Sequence, residues 1–246
     1  MIALGPRDDV LVQRLNDYLG PGGLRHLDVT TLFGSTPFST KRCGRDTSGF
    51  LTLNGIRIPY AEIKGVVIRL PLTWSLSYEF DLQDRMFVYH ETLAAWFSTI
   101  SNLACPVFNR FGLGWWLQDT TYHLRLLQRL AFQLAMTIST DTPSLFPAHS
   151  LFFGSPNPCH DSAYLVGEKI IKREGEEDSL LFSFLSDKAA MLADWQESEG
   201  ILLSRLDFLR KGNQLQLSNI DPIPSLHTEH PGTIDRIAKT IVDICQ

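Results

Sequence analysis

Near its end the chain reads Leu202-Leu203-Ser204-Arg205-Leu206-Asp207-Phe208, and then Leu215-Gln216-Leu217-Ser218-Asn219-Ile220-Asp221-Pro222-Ile223-Pro224. Apolar and polar residues alternate in both segments, as in strands that turn one face to a core. Arg210-Lys211-Gly212-Asn213 lies between them as a turn, and the second segment ends in acidic residues and prolines that stop further pairing. This commits the region to a hairpin and places Asp207, Asn219 and Asp221 on it.

Residues 1–145 read as an α/β unit. Met1–Leu4 is a short starting strand, and a helix from about Asp8 to Leu19 stops at Gly20-Pro21-Gly22-Gly23. Phe50-Leu51-Thr52-Leu53 and Ile56-Arg57-Ile58-Pro59 flank Asn54-Gly55, a strong hairpin signal. Gly65–Pro71 is nearly continuous apolar sequence, as a strand covered on both faces must be. A helix over Asp84–Leu103 follows, with Met86, Leu93, Phe97, Ile100 and Leu103 on one face. Cys105–Arg110 reads as a short buried strand. A second long helix over Asp119–Met136 carries the stripe Leu124, Leu127, Leu130, Ala131 and Leu134. Strands alternating with helices imply a largely parallel sheet with helices packed on it.

Composition removes several classes of function. A net charge of -5 argues against a dedicated nucleic-acid binder, which needs a basic surface against phosphates. The cluster Lys41-Arg42-Cys43-Gly44-Arg45 is expected to be a solvated loop. No apolar run reaches the roughly 20 residues that span a bilayer, and Pro6, Arg7, Asp8 and Asp9 interrupt the opening too early for a signal peptide. The expected setting is cytoplasmic, with no membrane partner. Cys43, Cys105, Cys159 and Cys245 are scattered, as reduced packing residues would be. His227 and His230 are a poor zinc signal without a cysteine pair, so no metal is expected there.

Three words of the N-terminal half, Val67-Ile68-Arg69-Leu70-Pro71, Asp84–Glu91 and Pro106-Val107-Phe108-Asn109-Arg110, occur in an order and spacing that resembles the ATP-grasp ligases. The nearest likeness is to the graspetide synthetases, which cross-link ribosomally made peptides. Ile138-Ser139-Thr140-Asp141-Thr142-Pro143 falls at that family's boundary to the nucleotide-binding domain. The closing hairpin is similar to the family's metal-binding end, where an Asp on one strand faces a Glu-x-Asn-Pro on the next. Asp207 matches the first acid, Asn219 stands at the Glu, and Asp221-Pro222 stands for Asn-Pro. The resemblance covers about 1–145 and again 162–246. It implies a pre-ATP-grasp-like α/β domain over 1–145 and a reduced α+β domain over 146–246.

The middle departs from that pattern. A triphosphate needs cationic side chains and close backbone donors. Ser144 to Ala163 holds no Lys and no Arg, and its single glycine, Gly154, makes no phosphate-cradling loop. The interval reads as a Pro-rich linker in a truncated chain that lacks the ATP lid, so no cofactor is expected. Lys169 and Lys172 lie on a hairpin strand and do not replace the lid. Asp207 and Asp221 leave two readings open: a single hard cation held by oxygen ligands, or local hydrogen bonds around an Asp-Pro turn. The second is preferred, with no metal and no catalytic residue assigned.

Tyr164–Ile171 reads as a hairpin or bent strand, followed by the acidic turn Glu174-Gly175-Glu176-Glu177-Asp178. Leu180–Leu185 reads as a strand, with Leu180, Phe182 and Phe184 on one side and Leu181 and Leu185 on the other. A strand apolar on both faces must be covered twice. An internal helix over Asp187–Glu197, with Leu192 and Trp195, is one cover; a partner peptide is the other. The candidate peptide-binding residues are Val166, Ile170, Leu180, Phe182, Phe184 and Trp195. Trp115-Trp116 in a loop suits a junction or an interface. Asn109 and Arg110, at the end of a parallel strand, occupy a usual ligand edge or cap the next helix.

The resemblance further implies a homodimer, leader-peptide docking on the middle of the fold, and a function without catalysis. That is the role of small companion proteins in crocagin-type pathways of ribosomal peptide modification. The expected partner is a precursor peptide, with pathway enzymes as further candidates. An active ATP-dependent carboxylate ligase with a short nucleotide site, an unrelated transferase, and a scaffold subunit of a full-length homologue remain as alternatives.

Overall fold

The computed structural model describes residues 1–28, 38–43, 46–53, 55–69, 82–110, 128–130, 160–173, 179–211 and 214–246. The chain divides into two compact units. One comprises Met1–Phe111, Leu226–Thr228 and Ala238–Gln246; the other comprises Gly112–Ser225 and Glu229–Ile237.

Along the first unit run β1 (Ile2–Leu4), α1 (Val10–Leu19), β2 (Arg25–Leu27), β3 (Phe38–Cys43), β4 (Asp46–Leu53), β5 (Ile56–Pro59), β6 (Val66–Ile68), α2 (Leu82–Ser101) and β7 (Val107–Phe108). The order β2-β1-β6-β7 forms a sheet whose pairs are all parallel, as the alternation of strands and helices implied. Every side chain of β1 and β6 is buried, which accounts for their continuous apolar sequence. Asp9 starts α1: its Oδ1 accepts from the amides of Leu11 at 3.0 Å and Val12 at 3.1 Å. Its Oδ2 accepts from Arg69 Nε at 3.0 Å, so one carboxylate caps the helix and neutralises a buried guanidinium just past β6. The strands approach closely here, since a Cβ on Gly5 would lie 2.8 Å from Arg69 Cβ. In α2, Trp96 and Ile100 are buried, with Leu103 just beyond its end.

The expected hairpin forms between β4 and β5, with Gly55 at φ 78°, and Asn54 lies outside the described residues. The basic cluster does not form the expected loop throughout. Lys41, Arg42 and Cys43 belong to β3 and pair with Ser48, Thr47 and Asp46. Backbone pairing does not depend on side-chain charge, so charge alone was a poor guide to backbone state.

The second unit contains β8 (His160–Val166), β9 (Lys169–Lys172), α3 (Ser179–Ser186), α4 (Ala189–Glu199), β10 (Leu203–Lys211) and β11 (Gln214–Asp221). The last helix, α5 (Pro231–Ile244), contributes its residues up to Ile237 to this unit and the rest to the first. The sheet order is β11-β10-β8-β9, antiparallel throughout. Both expected hairpins are present. The expected strand Leu180–Leu185 is instead the helix α3. Leu181 and Leu185 are buried one turn apart and Phe184 packs beside them, a helical set that a six-residue apolar run does not distinguish from a strand. The cover expected from Asp187–Glu197 is present as α4, whose Leu192 and Trp195 are buried in the same core.

Of the expected Asp119–Met136 helix, residues 128–130 are described and helical, with Leu130 buried. Trp115-Trp116, residues 138–143, Ser144–Cys159 of the expected linker and the turn Glu174–Asp178 lie outside the described residues, whereas His160–Ala163, expected as the end of that linker, belong to β8. Among the described residues, no helix is long and apolar enough to cross a membrane.

Candidate functional site

The sheet of the second unit has two chemically different faces. Ala163 and Leu165 on β8, Leu206 and Phe208 on β10 and Ile220 on β11 turn toward α3 and α4 and form one core. Strand alternation sends their neighbours to the opposite face. There the register aligns Tyr164, Arg205 and Asp221 in one row and Ser162, Asp207 and Asn219 in the next. A polar corner is thus assembled from three strands.

A bulge makes this arrangement possible. Asp207 pairs with Asn219, but Phe208 pairs with Leu217, leaving Ser218 as the extra residue. Ser218 Oγ donates to the Asp207 carbonyl oxygen at 2.9 Å, closing the irregularity. Without it, the leucines at 215 and 217 and Ile220 would not share a face. That break in phase was the sequence signal for the bulge.

Each carboxylate oxygen in the corner is engaged. Asp207 Oδ1 accepts from Ser162 Oγ at 2.8 Å and lies 3.0 Å from Arg205 Nε; its Oδ2 accepts from Asn219 Nδ2 at 3.0 Å. Asp221 Oδ1 accepts from the Ile223 amide at 3.0 Å, the local Asp-Pro turn expected from the sequence, and its Oδ2 lies 3.9 Å from Arg205 Nη2. Burial pulls the Arg205 guanidinium down, but the carboxylates of Asp207 and Asp221 outweigh it and hold its pKa above the ordinary arginine value. The Tyr164 hydroxyl is buried beside Glu229 and Arg205 without an aligned hydrogen bond. Burial, then Glu229, push its phenol well above the usual tyrosine range. Glu229 in turn accepts from Arg173 Nε at 2.9 Å.

This donor set does not fit the magnesium ions that an ATP-grasp-like site implies. A hard cation needs several converging oxygen ligands, and here a guanidinium lies between the two carboxylates while Asn219 presents an N–H to one of them. His227 and His230 are exposed, and His230 Nδ1 accepts from the Gly232 amide at 3.2 Å at the start of α5.

The peptide-binding candidates divide by burial. Val166 and Trp195 are buried, Ile170 packs against the α3–α4 core, and Phe184 meets Phe208 edge to face at 6.4 Å. Leu180 belongs to α3, but its side chain lies outside the described residues. Phe182 is 43% exposed. Among the described residues β9 is an edge strand, and α3 packs beside it. At one end of that edge the Lys172 carbonyl accepts from Arg236 Nη2 at 2.8 Å. In the first unit, Asn109 is buried with φ 62° just past β7. Arg110 donates to the carbonyl of Ser101 at 3.4 Å, at the end of the preceding helix, α2; the start of the following helix lies outside the described residues.

No family model matches the chain, and no curated protein matches it. Solved structures do. Macrocyclase MdnC of Microcystis aeruginosa MRC, bound with precursor peptide MdnA, matches at a TM-score of 0.61 and 13% identity over 99% of this chain and 100% of that one. Macrocyclase MdnB of the same organism matches at 0.62 and 14% identity, over 99% and 98%. A peptide-associated ATP-grasp ligase of Chryseobacterium gregarium, in complex with ADP and a leader and core peptide, matches at 0.57 and 11% identity, over 99% and 96%. With so little shared sequence the likeness is one of architecture: the chain has the ATP-grasp-like fold seen in peptide macrocyclases.

Proposed function

We propose that this protein is a non-catalytic receptor for a precursor peptide of ribosomal peptide natural-product biosynthesis. The observation that carries the reading is an ATP-grasp-like fold whose acidic corner is already neutralised by its own Arg205. Solved neighbours of this fold hold precursor, leader or core peptides. Retaining peptide capture while losing the metal corner would give a companion protein, not a ligase.

The proposed docking region lies beside α3 and the β9 edge. Phe182 is its exposed anchor, and Ile170 and Phe184 shape the layer beneath. Val166 and Trp195 support this region from within their elements, and Leu180 lies on α3. An extended peptide would add main-chain hydrogen bonds along β9, and a helical one would lay its apolar face on Phe182. The acidic run from Glu174 to Asp178 would steer basic residues of the peptide toward that end. A homodimer and contacts with pathway enzymes complete the proposal.

The test is a titration of labelled precursor peptide, encoded beside the gene, against wild type and Phe182→Ala. Loss of an aromatic anchor should weaken binding about tenfold. Equal binding by the folded variant would move the site elsewhere, and no binding by wild type would remove the peptide-receptor function.

A further inference from the structure

We propose that the β9 edge accepts an acidic, extended segment of the peptide, held by main-chain hydrogen bonds to Ile170 and Lys172 and by the charges of Lys172 and Arg236. The inference rests on the peptide-receptor reading and names the chemistry of its ligand.

Backbone phase comes first. β8 and β9 are joined through Gly167 and Glu168, with Gly167 at φ 56°, and Val166 pairs with Lys169. A hairpin turn of this length closes on a pair whose backbone groups point at each other. Lys169 and Ile171 therefore direct their N–H and C=O groups at β8, while those of Ile170 and Lys172 turn outward. The bond from Arg236 Nη2 to the Lys172 carbonyl oxygen, at 2.8 Å, arrives from that outer side and fixes the phase independently. Among the described residues, β8 is the only strand that pairs with β9. The Ile170 amide and carbonyl and the Lys172 amide are thus placed as a short ladder that an extended peptide can complete.

Charge selects the partner. Arg236 is exposed on α5 and uses Nε and Nη2 on the carbonyls of Gly232, at 3.4 Å, and Lys172. Neither it nor the half-buried Lys172 has a carboxylate partner among the described residues. The neighbouring Arg173 is already paired with Glu229 at 2.9 Å. At the other end of the edge, Lys169 and Glu168 of the turn are both exposed and carry opposite charges, so the positive excess is concentrated at Lys172. Lysine on an edge strand deters indiscriminate pairing, so an incoming strand must bring the opposite charge. An Asp or Glu beside Lys172 and Arg236 supplies it. Lys172 shares a strand face with Ile170, which packs on the α3–α4 core, and α3 carries the exposed Phe182. A peptide strand bearing one acidic and one apolar residue on that face would serve both. The acidic run after Arg173 in the sequence would meet a separate, basic stretch of the same peptide.

The experiment uses the full chain and the labelled precursor peptide encoded beside the gene, with a second peptide whose Asp and Glu are replaced by Asn and Gln. Amide hydrogen exchange at Ile170 and Lys172 should slow when the first peptide binds. Ile171, already paired with β8, should not change. The neutral peptide should bind about fivefold more weakly at low salt, and the difference should narrow as salt rises. Lys172→Met should reproduce that loss, and Arg236→Lys should keep most of the affinity that Arg236→Ala loses; circular dichroism checks each fold. Full affinity without the peptide's carboxylates, or binding without protection at Ile170 and Lys172, would overturn the inference and leave the receptor reading standing. No binding of either peptide by wild type would remove that reading, and this inference with it.

Discussion

Cys245 shows how a single side chain can set a condition on the whole first unit. It follows α5, is 5% exposed, and its sulfur lies directly against the backbone of Gly65, where an added methyl would collide with it. Burial pushes its thiol from an ordinary value near 9 up to about 11, with Cys105 nearby adding to the rise and the chain's amino group opposing it. Below pH 9 the thiol is neutral in both folded and unfolded chains and its contribution to stability is fully present. Between about 9 and 11 the unfolded chain releases the proton while the folded chain keeps it, so stability falls as pH rises. The unfolding free energy should therefore decline across that window, by up to about 1.4 kcal/mol per pH unit for one thiol. Cys245→Ala should flatten the part between pH 9 and 10. Tyr164, whose phenol is also raised by burial, would retain a decline at higher pH. Denaturant titrations at pH 8, 9 and 10 check this, and an identical decline in the variant would assign it to other groups.

At the scale of elements, α3 carries the sharpest test of packing. Leu185 is fully buried, whereas Phe182 on the same helix is 43% exposed. Leu185→Ala should cost about 2–5 kcal/mol through lost transfer energy and a residual cavity. Phe182→Ala should change stability by less than about 0.5 kcal/mol, as surface substitutions generally do. Were residues 180–185 a strand with Phe182 covered, the two costs would be comparable; urea unfolding distinguishes the cases. Phe182→Ala is therefore a clean test of the proposed binding, whereas a change at Phe184, packed on Phe208, would also disturb the core. The same helix marks where the sequence stopped being legible. Regular hairpins were readable because alternation and Gly55 act locally, and β1 and β6 because full burial leaves an unbroken apolar word. A dense apolar run such as Leu180–Leu185 satisfies both periods at once, so only its packing against β9 and α4 selects the helix. The corner was half legible. Asp207, Asn219 and Asp221 were visible as candidates, but nothing in the sequence singles out Arg205, because only cross-strand register sets it between two acids.

For the whole molecule, the proposed function makes ligand linkage the deciding property. A ligand that binds only the folded chain stabilises it by RT ln(1 + [L]/Kd), about 2.7 kcal/mol at a hundredfold excess over Kd. Precursor peptide at that excess should raise the unfolding free energy by about this amount. Magnesium-ATP should leave it unchanged. Ser144–Ala163 supplies no cation for a triphosphate, and Arg205 occupies the acids that would bind its metal. Charge gives a further handle. The chain carries a net charge of -5, so capture of a basic segment should weaken as salt rises, while the apolar contribution of Phe182 should persist. Calorimetry of both ligands with wild type and with Asp207→Ala plus Asp221→Ala completes the comparison. A micromolar heat signal with magnesium-ATP, abolished in the double variant, would return the carboxylate-ligase reading to first place. Peptide binding unaffected by the double variant, with no nucleotide signal in either protein, is the expected result, because the corner and the proposed α3–β9 docking region lie on opposite faces of the sheet.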